Sequence, residues 1–194
     1  MKEHGNIHFC GVGGQGILLA SELTAYALLA VGFDAKKSEV HGMAQRGGSV
    51  EAHLRFGRGK VYSPLIEPGT VDIMLAFEMM EAVRYLPFLS PHSTVIVNTQ
   101  KIAPPAVATG KMTYPDQCLD ELTSRGITVI PVDAFAIARA AGNLKAVNVA
   151  LVGALSRLLP VEEATWIEVI RQRLPPKIVE VNLAAFAAGR KAGN

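Results

Sequence analysis

Apolar positions fall along this chain in short blocks whose spacing switches between two and about 3.6 residues, so strands and helices can be read in order. Ile7 to Cys10 is an apolar strand, and Gln15 to Val31 follows as a helix in which Ile17, Leu18, Leu19, Leu23, Ala27, Leu28 and Leu29 cover more than a narrow stripe. Phe33 to Val40 begins a second strand, and Ser49 to Phe56 alternates as a half-exposed strand does. Gly57-Arg58-Gly59-Lys60 then turns toward Val61-Tyr62. Short glycine loops join antiparallel neighbours, so these last two segments are expected to pair as an inserted hairpin. Val71 to Phe77 and Thr94 to Val97 are continuous apolar runs separated by a helix over Glu78 to Leu89, the rhythm of a parallel sheet covered on both faces.

Beyond the Pro104-Pro105 connector, Tyr114-Pro115-Asp116 opens a helix to Arg125, Gly126 ends it, and Ile127 to Val132 is the next strand. Asp133 caps a further helix. The remainder is helical, over Ala146 to Leu159, Pro160 to Arg173 and Lys177 to Arg190, with Pro175-Pro176 as a stop. The pattern predicts an α/β fold: a Rossmann-like, three-layer α/β/α arrangement, mostly parallel with an inserted antiparallel hairpin and a helical C-terminal part. At 194 residues a single domain over 1–194 is expected.

Composition narrows the function. Nineteen basic against seventeen acidic residues leave +2 with dispersed charges, so neither a nucleic-acid partner nor a membrane surface is indicated. Hydrophobic residues are 49% of the chain and the mean hydropathy is +0.26, which points to further burial against another subunit. Cys10 and Cys118 are the only cysteines, so this chain alone cannot ligate a four-cysteine iron–sulfur cluster. Met1 to Asn6 lacks the apolar core of a signal peptide, and Ala146 to Leu159 is too short to span a bilayer, so a cytoplasmic location is expected.

Two glycine-rich segments are the candidate chemistry. Gly11, Gly13 and Gly16 follow a G-x-G-x-x-G spacing between strand and helix, with Gly14 and Gln15 inside it. The spacing suits a phosphate at a helix N-terminus, or simply a sharp turn that packs helix close to sheet. The second segment, Lys36 to Val50, contains His41, Gln45, Arg46, Gly47, Gly48 and Ser49. Its imidazole, amide, guanidinium and hydroxyl suit a carboxylate ligand or closure over a partner's cofactor, while Arg46 equally suits anchoring of the loop. Glu78 and Asn98-Thr99 follow apolar strands, placing them at the carboxyl edge where open α/β sheets bind ligands; a turn or cap is the alternative for Asn98. Asn148, inside an apolar helix, needs a partner, either an internal carbonyl or another subunit.

Together, the glycine turn and His41-Gly42-Met43-Ala44-Gln45-Arg46-Gly47-Gly48-Ser49-Val50 resemble the gamma-type subunit of 2-oxoacid:acceptor oxidoreductases, most of all the beta subunit of indolepyruvate:ferredoxin oxidoreductase. Val71 to Glu78, Glu81 to Leu86, Val95 to Thr99, Asn148 to Ala154 and Val181 to Phe186 fit the same family, so the resemblance spans essentially the whole chain. It implies oxidation of indolepyruvate or another aryl pyruvate with coenzyme A to acyl-CoA, carbon dioxide and reduced ferredoxin. It further implies that thiamine diphosphate, Mg2+ and [4Fe-4S] clusters lie on a larger partner subunit in a hetero-oligomer, that ferredoxin is met through the complex, and that this chain binds no cofactor and catalyses nothing alone. Two other readings stand beside it. One is an independent dinucleotide-binding protein, which wants an acid near the end of the second strand where Lys36 and Lys37 lie close to Asp34 and Glu39. The other is a noncatalytic assembly module.

Overall fold

The computed structural model describes residues 3–41, 48–103, 105–111 and 113–193. Gln45, Arg46 and Gly47 lie outside the described residues, as does the side chain of His41.

Six strands form one mixed sheet: β1 (His4–Val12), β2 (Asp34–His41), β3 (Ser49–Gly57), β4 (Val71–Ala76), β5 (Leu89–Asn98) and β6 (Thr128–Val132). Their spatial order is β2-β3-β1-β4-β5-β6. Strands β1, β4, β5 and β6 are parallel neighbours, and β3 runs against both β1 and β2. The antiparallel insertion is present, but its hairpin is β2 with β3, not Ser49–Phe56 with Val61–Tyr62. Both edges of β3 are already taken, by a ladder from His4↔Gly57 to Val12↔Ser49 on one side and from Asp34↔Gly57 to His41↔Val50 on the other. Beyond Gly57 the chain therefore leaves the sheet, and Val61 N–H donates to Asp34 Oδ2 (2.8 Å).

Alternation along the strands creates two unlike faces. Ile7, Phe9, Val50, Ala52, Leu54, Phe56, Ile73 and Leu75 enter a large apolar core with α1 (Ile17–Ala30), α5 (Ala134–Ala141), α6 (Val147–Ser156), α7 (Glu163–Arg173) and α8 (Pro176–Ala192). The opposite face packs Cys10, Met74, Ala76, Val95 and Val97 against α2 (Met79–Arg84) and α4 (Cys118–Ser124). The short α3 (Pro105–Ala108) lies in the connector after β5.

Two helix boundaries differ from the pattern for local reasons. The helix expected over Glu78 to Leu89 ends at Arg84, because Pro87 lacks an N–H and disfavours helical backbone before it; Leu86–Phe88 is a 3-10 turn and Leu89 already starts β5. The helix expected from Tyr114 starts only at Cys118; Pro115 disfavours helical backbone at Tyr114, whose hydroxyl donates to the Glu78 carboxylate. Asp133 caps α5 as expected, its Oδ1 accepting from Ala136 N–H (2.8 Å).

Helices α6 and α8 meet backbone to backbone. A Cβ on Gly153 would stand 2.2 Å from the Phe186 carbonyl oxygen, and one on Gly189 would stand 1.9 Å from that of Ala150. Only glycine fits at either position, so this crossing is closer than helix spacing ordinarily permits.

Candidate functional site: the glycine turn at the carboxyl edge of the sheet

The turn from β1 into α1 is built by side-chain stitching as much as by glycine. Gln15 Oε1 accepts from Val12 N–H (2.7 Å), and its Nε2 donates to the Phe77 carbonyl (2.9 Å) at the end of β4. Gly11 has no room for a Cβ, which would meet Gln15 Oε1 and Phe77 Cβ at 2.7 Å each. Gly16 is the N-cap of α1 with φ of 80°, and a Cβ there would strike Asn148 Nδ2 at 2.5 Å. Gly14 (φ 103°) faces open space. The two glycine segments touch: Gly13 N–H donates to the Gly48 carbonyl (2.9 Å).

No side chain caps α1. Its first-turn amides thus keep the partial positive charge of a helix start available to an anion. A cleft of about 410 Å³ opens beside them, lined by Gly14, Gln15, Gly16, Phe135, Lys145 and Asn148. A second groove of about 410 Å³, lined by Gly13, Gly14, Ile17, Leu18 and Val50, runs along the other flank of the turn. Backbone donors, one ammonium group and apolar walls make this edge chemically suited to an anionic ligand with an apolar body.

The remaining candidates divide. Glu78 is buried and its carboxylate is fully engaged: Oε2 accepts from Met80 N–H (2.7 Å) and Glu81 N–H (3.2 Å) as the N-cap of α2, and Oε1 accepts from Ile102 N–H (3.2 Å) and the Tyr114 hydroxyl. Burial, reinforced by the Glu78 hydrogen bond, pushes the Tyr114 hydroxyl far above the ordinary phenol range. Asn98 is buried too; its Nδ2 donates to the same Phe77 carbonyl (3.2 Å), and its Oδ1 has no partner among the described residues. Thr99 N–H donates to the Val132 carbonyl (3.0 Å), continuing the β5–β6 contact. Asn148 finds an internal carbonyl, that of Gly16 (3.4 Å), while its Oδ1 accepts from Val149 N–H (2.9 Å).

Ser49 belongs to a polar cluster on the other face of the sheet that the sequence reading missed. Its hydroxyl donates to Glu81 and lies 2.9 Å from the Tyr85 hydroxyl. Deeper along the same face, Glu51 Oε2 lies 2.8 Å from His8 Nε2 and 3.4 Å from His53 Nε2. The signal was present: strict alternation places Ser49, Glu51 and His53 on one side of β3, and His8 interrupts the apolar run Ile7 to Cys10.

Comparison with known proteins gives this arrangement a context. The profile of the pyruvate ferredoxin/flavodoxin oxidoreductase family matches residues 6–192. The chain belongs to that family. Its relatives include the indolepyruvate oxidoreductase subunit IorB of Thermococcus kodakarensis, 43% identical over 99% of this chain and 96% of the relative. The protein of the same name from Archaeoglobus fulgidus is 45% identical over 95% of this chain and 92% of its own. Among solved structures, pyruvate oxidoreductase subunit PORC of Thermotoga maritima superposes with a TM-score of 0.76, covering 98% of this chain and 97% of that one at 21% identity, which establishes the shared fold. Within the oxidoreductase family this chain is thus comparable in length to proteins named as subunits, and among its described residues no helix is long and apolar enough to cross a membrane.

Proposed function

We propose that this chain is the small subunit of a 2-oxoacid:ferredoxin oxidoreductase that takes indolepyruvate or another aryl pyruvate, and that it works only in complex with a larger subunit. The observation carrying this reading is the 43% and 45% identity, nearly end to end, to two proteins named indolepyruvate oxidoreductase subunit.

The donor set supports a division of labour. Cys10 lies in β1 and Cys118 at the start of α4, two thiols where a four-cysteine cluster needs four. Among the described residues, the one gathering of three His, Cys, Asp or Glu side chains that suits a metal is His8, Glu51 and His53, whose two imidazoles are buried. Thiamine diphosphate, Mg2+ and the iron–sulfur clusters are therefore assigned to the partner, where they supply the nucleophile, the electron sink and the one-electron path. This chain contributes the edge at which they are met. Its uncapped α1 amides and Lys145 are assigned to a phosphate of coenzyme A, Phe135 to the apolar part of that ligand, and the loop bearing Gln45 and Arg46 to the substrate carboxylate or the partner's cofactor.

A free dinucleotide site has less support. In a dinucleotide-binding sheet the acid-bearing second strand lies next to β1, whereas here β3 intervenes. Asp34 and Glu39 are also paired, with Lys36 and Lys37 respectively.

Anaerobic affinity purification of the tagged chain from its host, followed by mass spectrometry and a visible spectrum, tests the proposal. A brown complex with a larger, cysteine-rich, thiamine-diphosphate-binding partner is the expected result, and a colourless chain without partner overturns it.

A further inference from the structure

Strand β2 is an outer strand of the sheet: β3 fills one of its edges, and among the described residues no strand pairs with the other. An open edge presents backbone N–H and C=O groups without ladder partners, a template for a further strand. Folded proteins blunt such edges by shortening the strand, by proline or a bulge, or by lysines set along it. β2 has eight residues, no proline, and a pairing with β3 that runs from Asp34 to His41 without a shift of register. It does carry Lys36 and Lys37, yet Asp34 and Glu39 neutralise them, each bonded to the lysine two positions away. The edge therefore has no net charge with which to repel every approaching strand.

The order of those charges selects the partner. A two-fold axis normal to a sheet keeps each side chain on its own face, so two copies of one strand meet antiparallel only with some residue opposite itself. Centred on Lys36, Lys37 or Glu39, the pairing sets identical charges directly opposite, which is destabilising. Centred nearer either end, it overlaps three residues of β2 or fewer. Centred on Ser38, it overlaps Ala35 to His41 and sets Lys37 of each copy opposite Glu39 of the other. Lys37 and Glu39 lie on the face where Ala35 meets the larger core, and their side chains keep 29% and 30% of their exposure, so the four charges can alternate in sign around the axis. On the opposite face the same register lays the aliphatic stem of Lys36 over Val40, an apolar side chain that a single chain leaves 43% exposed.

We propose that β2 is a self-association edge: a second copy of this chain pairs with it antiparallel, Ser38 opposite Ser38, joining the two sheets across a two-fold axis. Self-complementary charge is what this occupant requires, and a strand from any other protein would have no need of it.

Ser38→Cys tests the register, because directly opposite residues of an antiparallel pair have Cα atoms about 4.5–5.5 Å apart, within reach of a disulfide. Mild oxidation is expected to link two chains of that variant on a non-reducing gel, in the purified full-length chain and in host lysate alike. Lys36→Cys is expected to stay unlinked, since its two copies lie four positions apart along the paired strands. Cys10 and Cys118 are buried, which leaves the introduced thiol as the accessible one. Sedimentation of the wild-type chain is expected to show a dimer, weakened about tenfold or more by Lys37→Glu or Glu39→Lys alone and restored when both are exchanged together. A wild-type chain that is monomeric at every concentration, absence of the Ser38→Cys link, equal linking at both positions, or a double exchange that is folded by circular dichroism yet monomeric overturns the proposal. Should the exchanged variants not fold, the two cysteine variants decide.

Discussion

The side-chain amide of Gln15 clamps the glycine turn to the end of β4, donating to the Phe77 carbonyl while its oxygen receives Val12 N–H. Replacing it by leucine, of similar size, strips partners from two part-buried backbone groups, each worth about 1–3 kcal/mol when left unsatisfied. Gln15→Leu is expected to lower the urea midpoint accordingly. A midpoint equal to wild type would mean that water replaces the amide without cost.

Gly14 offers a different readout of the same turn. Nothing lies within 4 Å of its would-be Cβ, yet its φ of 103° is one that other residues rarely adopt. Gly14→Val therefore strains the backbone by about 1–3 kcal/mol without steric overlap. In the assembled enzyme it is also expected to raise the KM for coenzyme A. An unchanged melting temperature together with unchanged coenzyme A dependence would remove both roles.

The α6–α8 crossing predicts a large effect from the smallest substitution. Gly189→Ala forces the helices apart against the Ala150 carbonyl and should cost at least about 1–3 kcal/mol, the usual toll of overpacking. Chemical denaturation measures it, with Gly193→Ala, at the C-cap of α8, where a Cβ would stand 3.1 Å from Ala154 Cα, as the milder comparison.

Acid should unfold the chain through the buried cluster in two separable ranges. Burial lowers the His8 pKa, more than Glu51 raises it. The unfolded chain therefore takes up a proton that the folded one refuses, and stability declines as pH falls below the ordinary 6.5. Burial by itself raises the Glu51 carboxyl, but hydrogen bonds from His53 and His8 outweigh it and hold the group at about 2. Its contribution is thus complete above 4.5 and is lost between 4.5 and about 2. Thermal melts across pH should show His8→Gln flattening the upper range and Glu51→Gln the lower. A variant whose slope matches wild type would clear that residue of any part in it.

Arg46→Ala is expected to reduce turnover of the assembled oxidoreductase about tenfold or more while leaving the subunits together, as the carboxylate-binding role proposed for its guanidinium requires. Steady-state kinetics matching wild type, with an intact complex on gel filtration, would reject the role.

Sheet and helices were legible where one rule dominates. Ile73 to Ala76 and Val95 to Val97 are apolar without interruption because both faces of those strands are covered, and Asp133 announces α5 because a carboxylate before an apolar run has few other uses. Pairing was less legible. Whether Ser49–Gly57 takes Val61 or Asp34–His41 as neighbour depends on which edge is already filled, and that is a property of the assembled sheet. The site divides the same way. Glycine spacing marked the turn, yet the roles of Gln15, Glu78 and Asn148 emerge only from contacts across 62, 36 and 132 positions, and His8 was hidden between apolar neighbours.

The reversed direction of β3 ties the hairpin to the glycine turn. Because β3 begins at the rim where β1 ends, it starts beside that turn, with Gly11 opposite Val50 and Gly13 N–H donating to the Gly48 carbonyl. Loosening the start of β3 is therefore felt in the turn that begins α1, two elements away along the chain but one hydrogen bond away in space.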